Sequence, residues 1–380
     1  MLFLFLIAGI IITSYILRTK TVRVARKKRS SEAVYMAFWG VVLVSLVGLR
    51  SSSVGNDTSM YGYIFNSIRA TDSFLPWMAR SIYTSNTEYG FYFVMYLFSR
   101  FTDYQQFIFI SAIITVTPYI YLIYKYSHNK MLSLLLYVCF PYYTFNMSGL
   151  RQAYALSFIA VAYIFIVDKK PWKFVISCIL GILCHQSAIL FIPVYWIGKI
   201  KNTKITRKAA IIAIAASYLL RNQIWSFATT FARQQYEGNE AGGQMMCLFL
   251  ILCAILGIYY RRLFIDTRDN VKREDAVCNK NSYGVAPNAL YAEPRKELLY
   301  LQILAAMIAP LSLYNSAISR VYYYYHIFVI LYVPLLLKSI TNKKERLIIE
   351  AGYIVVAIYF LVSIIINPMN KYVPYTFFWQ

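Results

Sequence analysis

Long apolar runs alternate with short basic ones along almost the whole chain. Measured against the ~20 residues that a helix needs to cross a bilayer, apolar stretches fall at 1–17, 34–50, 89–101, 107–126, 131–147, 150–167, 173–198, 209–222, 244–260, 299–316, 321–338 and 347–366. The pattern predicts an all-α polytopic membrane protein with about 12 transmembrane or re-entrant helices, the shorter stretches being candidates for partial crossing. It predicts a single membrane domain over 1–380, with an extracytoplasmic loop at 51–88 that carries a short helix. The segment 261–298 is polar, has mixed charge and holds Gly284, Pro287 and Pro294, so it reads as a loosely ordered cytoplasmic insertion.

Composition supports the same class. Of 380 residues, 59% are hydrophobic and 14% charged, whereas a soluble globule carries about a quarter charged residues. The net charge of +22 gathers in short loops between apolar runs, the positive-inside pattern. Membrane lipids with anionic headgroups are therefore the expected partners of that charge, and no nucleic acid is expected. Arg18, Lys20, Arg23, Arg26, Lys27, Lys28 and Arg29 follow the first run without an acid among them. With Lys199–Lys208, Arg261–Glu297 and Lys338–Arg346 they place those loops in the cytoplasm and both termini outside. One conflict stands: Asp168–Lys173 and Lys199–Lys208 are both basic yet flank a single stretch, 173–198. Either the first loop is an exception, or that stretch is a re-entrant hairpin that turns near His185.

Met1–Leu17 lacks a basic leader and a small-residue cleavage site and reads as an uncleaved first span. The six Cys, at 139, 178, 184, 247, 253 and 278, show no disulfide or zinc spacing. No metal and no cofactor is expected.

Charged and strongly polar residues within so apolar a chain are the candidates for chemistry. Arg50 and Asp57 sit in the stretch Arg50–Phe65, where Asn56 or Asp57 caps a short helix through Thr58, Tyr61 and Phe65. The functional reading makes Asp57 a general base held just outside the bilayer. Arg50 either joins it or anchors its own span. Glu88, in Thr87–Tyr92, opens the next helix, where it favours the first turn, or else supplies a second carboxylate. Arg151 and Gln152 follow Gly149 at a helix start. Arg binds phosphate bidentately and a helix N-terminus adds donors, so the pair suits an anion, although a snorkelling Arg is the plainer reading. His185 and Gln186 lie in the middle of an apolar stretch, which implies a cavity. In Ser319–His326, Arg320 and Tyr324 are four apart and share a helical face. The many Tyr residues serve an interfacial belt or stack against sugar rings.

The Gly-x-Asp-Thr-x-x-Tyr loop, the Glu-x-Gly-Phe opening, the Arg-Gln, the lone His-Gln-Ser and the late Arg-x-x-Tyr-Tyr, in this order, resemble the EpsG family of Wzy-like polysaccharide polymerases across nearly the whole chain. The resemblance implies a GT-C-like helical bundle in the bacterial inner membrane. It implies a glycosyltransferase that polymerises undecaprenyl-diphosphate-linked oligosaccharide repeat units of O-antigen, capsule or exopolysaccharide type on the outer face, with a chain-length regulator as a candidate partner. Position by position, it matches Asp57 to the loop acid, Glu88 to the second acid, Arg151 and Gln152 to the Arg-Gln, His185 to the lone His and Arg320 to the late Arg. The chemistry of the residues themselves then gives catalytic roles to Asp57, Glu88 and His185, diphosphate binding to Arg50, Arg151, Gln152 and Arg320, and sugar binding to Tyr61, Tyr323 and Tyr324. With Arg residues to meet the leaving-group charge, the reaction needs no metal. The insertion 261–298 has no counterpart in the resemblance.

A flippase for lipid-linked oligosaccharide shares the spans and the Arg-lined cavity, though no two-fold internal repetition is present. A glycan ligase shares the machinery with a different acceptor.

Overall fold

The structure, a computed structural model, describes residues 2–20, 25–81, 88–197, 199–200, 204–231, 243–260, 296–315 and 318–380. Among these residues regular structure is helical, and the single bridge pairs Arg50 with Phe377. The chain forms two compact units, one of residues 1–192 with 347–380 and one of 193–346.

The first unit begins with α1 (Leu2–Lys20) and α2 (Ala25–Gly48). The predicted loop helix is α3 (Thr58–Arg69), followed by the short α4 (Phe74–Arg80). Then come α5 (Tyr89–Ser99), α6 (Tyr104–Tyr126), α7 (Lys130–Cys139), α8 (Pro141–Phe145), α9 (Leu150–Val167) and α10 (Pro171–Cys184). α9 is the central element, packing against α6 and α10, while α6 also packs on α2. Its sequence accounts for this: apart from Arg151 and Gln152 it is apolar or small nearly all round, with Ala153, Ala155, Ala160 and Ala162 buried to let neighbours approach. Lys343–Ile366, which reaches into this unit, is by contrast mostly lipid-type surface, with Val355 and Ile366 exposed.

Four helices among the described residues are long and apolar enough to span: Ser31–Gly48, Tyr104–Tyr126, Leu150–Val167 and Lys343–Ile366. A fifth arises if Ser319–His326 and Val329–Ser339, bent by 49°, form one span. The other apolar stretches carry shorter helices, because local chemistry interrupts them. α7 stops at Cys139, and Pro141 then starts α8 at a position where its missing N–H costs nothing. The stretch 173–198 breaks at His185, whose backbone is extended at φ −158° and ψ 120°. A 3₁₀ helix, Gln186–Phe191, follows. α6 is opened instead by a complete capping box, in which Asp103 accepts from the Gln106 N–H at 2.8 Å and the Gln106 side chain accepts from the Asp103 N–H at 3.1 Å.

The second unit holds Lys204–Leu219, Arg221–Phe231, Gln244–Tyr259, Lys296–Ile308, Ser319–His326 and Val329–Ser339. Tyr332 ties two of these helices by donating to the Cys253 carbonyl at 2.7 Å. Except for 296–298, the expected cytoplasmic insertion lies outside the described residues.

Two close approaches position the loops of the first unit. At Gly90, near the start of α5, a Cβ would stand 2.6 Å from the Leu183 Cβ and 3.0 Å from the Leu183 backbone. The lack of a side chain therefore lets α5 meet the end of α10. Gly55 has φ +92°, and a Cβ there would overlap the Met147 carbonyl oxygen, so the loop before α3 sits directly on the segment that leads into α9. Thr58 Oγ1 secures this contact, lying 2.8 Å from the Met147 carbonyl.

Candidate active site

The approach of Gly90 to Leu183 places Glu88, at the N-cap of α5, beside His185, just past α10. Its carboxylate bridges two partners: Oε1 meets His185 Nδ1, and Oε2 accepts from Arg151 Nη1. Glu88 makes no side-chain cap bond to its own helix, so the helix-start reading of this residue gives way to an ionic one. A buried carboxylate is stable only when paired and hydrogen-bonded, and here both oxygens are engaged. Burial pushes the Glu88 pKa up, but the hydrogen bond and charge of His185, then the charge and hydrogen bond of Arg151, outweigh it and hold the carboxyl below its usual range.

Arg151 is the hub. Besides Glu88, its Nε donates to the Tyr61 hydroxyl at 3.3 Å and its Nη1 reaches the Tyr92 hydroxyl at 3.5 Å. Nη2 is the guanidinium nitrogen that these bonds leave unused. The Glu88 side chain is only 6% exposed, whereas those of Arg151 and His185 are 29% and 24% exposed. Access to this centre is therefore through the cation and the imidazole, with the carboxylate beneath them.

Asp57 occupies the N-cap position of α3 but makes no side-chain cap bond, so the capping expected of it is not what the side chain does. Tyr61, one turn later, links it to the centre. Burial pushes the Tyr61 hydroxyl up, against the charge of Arg151, and the charge of Asp57 adds to the rise. Asp57 and Arg151 thus act on one hydroxyl from opposite signs.

Gln152 is buried next to Arg151. Arg50 is enclosed completely, at 0% exposure. Its Nη1 donates to the Val47 carbonyl, while Nε and Nη2 have no hydrogen-bond partner among the described residues. Tyr61 and Tyr324 are buried at 2% and 0% exposure and offer no open ring face for a sugar, while Tyr323 is half-buried. Arg320 is exposed and Tyr324 is not, so the four-residue spacing does not give them a common environment. Arg320, Tyr323 and Tyr324 belong to the second unit.

Tyr92 escaped the sequence reading as a site residue. Its signal was its place four residues after Glu88, on the same face of α5. Among the described residues, no three His, Cys, Asp or Glu side chains gather as a metal site would need.

Apolar spans, and loops that bring an acid, an arginine and a histidine together, define a membrane protein with a polar cluster at the ends of its helices. The chain matches the model of the EpsG family over residues 33–377 and belongs to that family. It is thereby a polysaccharide polymerase-like membrane protein, of a family associated with glycosyltransferase-like polymerases. No curated relative and no solved structure matches the chain.

Proposed function

We propose that the protein is a polysaccharide polymerase that moves a growing glycan from undecaprenyl diphosphate to the non-reducing end of a new lipid-linked repeat unit, on the outer face of the bacterial inner membrane. The observation that carries this reading is the Glu88 carboxylate held between Arg151 and His185, below a partly open guanidinium and imidazole.

In the transfer, an acceptor hydroxyl oxygen bonds to the anomeric carbon as the bond from that carbon to the diphosphate oxygen breaks. The electron pair leaves with the diphosphate, and the acceptor proton goes to a base. Arg151 meets the leaving charge with donors fixed in advance by Tyr61, Tyr92 and Glu88, so little reorganisation is needed at the moment of reaction. His185, its Nδ1 held by Glu88, turns Nε2 to the same leaving oxygen. Gln152 supports the diphosphate subsite from the helix start. Asp57 is the base, since it is partly exposed and its charge acts on the Tyr61 hydroxyl that Arg151 also holds. Glu88 holds Arg151 and His185 in place rather than taking the proton itself.

The test is Asp57→Asn and Arg151→Ala in a strain that depends on this gene, with membrane expression verified and surface glycan resolved by gel. Loss of the long-chain ladder, with single lipid-linked repeats collecting on the outer leaflet, is expected. Collection on the inner leaflet would contradict the polymerase reading and point to a flippase, and a normal ladder would remove both residues from the site.

A further inference from the structure

The loop that carries Asp57 is held from two sides. On the α3 side, Thr58 Oγ1 lies against the Met147 carbonyl and the Tyr104 hydroxyl donates to the Thr58 carbonyl. On the other side stands the segment after the last long helix. The Ser51 N–H donates to the Thr376 carbonyl at 2.9 Å, the Gly55 N–H to the Lys371 carbonyl at 2.9 Å, and the Phe378 N–H to the Leu49 carbonyl at 3.0 Å. The Tyr375 hydroxyl adds a bond to the Leu46 carbonyl at 2.5 Å, and the Ser53 and Thr376 hydroxyls stand 3.4 Å apart.

Backbone groups taken from water must find partners. For residues 49–57, among the described residues, every backbone hydrogen bond that leaves the loop and its flanking helices goes to Lys371–Phe378. The pairing is also specific in conformation. Lys371, at φ +50°, and Gly55, at φ +92°, are both left-handed, and it is the carbonyl of one that meets the N–H of the other. A left-handed non-glycine residue is strained and persists only where its surroundings enforce it. Arg50 lies beneath the same segment: burial lowers its pKa, and Tyr104, Tyr375, Tyr372 and Tyr143 act against that fall.

We infer that Lys371–Phe378 is a strap that positions the Asp57 loop against Met147–Arg151 and stays closed through the reaction. The inference rests on the reading of Asp57 as the base for its consequence in catalysis, but not for the position of the strap. Its residues are positioning residues, since none of them need touch the substrate.

Two measurements test it in the full chain with Cys278→Ser. The first labels Asp57→Cys with a maleimide in purified protein. Replacing Lys371–Phe378 by a Gly-Ser segment of equal length is expected to raise the labelling rate about tenfold, while buried Cys139 stays unlabelled. If the replacement also exposes Cys139, single substitutions serve instead. Lys371→Val, which a β-branched side chain makes incompatible with the left-handed backbone, is then expected to raise the rate, and Lys371→Gly to keep that of the intact chain. Equal rates in all forms would overturn the strap. The second measurement oxidises Ser53→Cys/Thr376→Cys to a tether. Polymer synthesis is expected to survive tethering, and the Gly-Ser replacement to lower kcat more than KM. Loss of synthesis on oxidation, restored by reductant, would overturn a strap that stays closed. Because labelling does not depend on the activity, failure of the polymerase reading leaves the first result standing and is told apart from failure of the strap.

Discussion

Gly90 and Leu183 pack so closely that a Cβ on Gly90 would stand 2.6 Å from the Leu183 Cβ. Glu88 lies two residues before the one and His185 two residues after the other, so this contact sets the distance of the central Glu88–His185 hydrogen bond. Gly90→Ala is expected to push α5 from α10, to cost about 1–3 kcal/mol and to loosen Glu88 from His185. Thermal unfolding in detergent checks the first effect. The second predicts that Gly90→Ala and Glu88→Gln together cost less than the sum of their separate losses, as neighbours that share one interaction do.

Glu88 also sets a pH dependence. Its carboxyl is held below the usual range, so its contribution to stability is fully present above the unfolded carboxylate value of about 4.3. That contribution is lost only as pH falls through the lower folded value. The expected result is a wild-type advantage over Glu88→Gln of about 2 kcal/mol, constant from neutral pH to about pH 5 and shrinking below about pH 4. An advantage that faded already between pH 7 and 6 would mean that Glu88 is not held ionised.

Arg151→Lys is not conservative here. The guanidinium serves Tyr61 through Nε and Glu88 through Nη1 at once, a fork that an ammonium cannot reproduce. Polymer synthesis is expected to fall about a hundredfold with the protein still folded. A variant as active as the wild type would show that Arg151 supplies charge alone.

Much of this centre was legible in the sequence for one reason: in a chain this apolar, Asp57, Glu88, Arg151 and His185 stand out, since each needs a partner wherever it lies near hydrocarbon. The apolar runs likewise marked where helices form, because their length and period are local properties. Partner choice is not local. Nothing near Glu88 said that its oxygens would go to Arg151 and His185 rather than to its own helix start. Nothing near Arg50 said that Tyr372, Tyr375 and Phe377 would enclose it. The break after Phe140 falls inside a run that reads as continuous, because hydropathy does not register where a backbone turns, whereas a turn near His185 is one of the two readings that the basic loops on either side of 173–198 leave open.

Arg50 yields a prediction of opposite sign to the other charges. It is wholly buried, two of its nitrogens lack a hydrogen-bond partner among the described residues, and a buried charge without such partners is costly. Arg50→Met is expected to leave the unfolding free energy unchanged or to raise it, by up to about 3 kcal/mol. A clear fall would show that the guanidinium is partnered in the protein.

The most direct measurement follows single undecaprenyl-diphosphate-linked repeat units in liposomes with the purified protein and with its Arg151→Ala form. The wild type is expected to convert them to a ladder and to release one undecaprenyl diphosphate for each linkage made, and the Arg151→Ala form to do neither. A folded wild type that extends nothing, or an Arg151→Ala ladder equal to the wild type, would contradict this expectation.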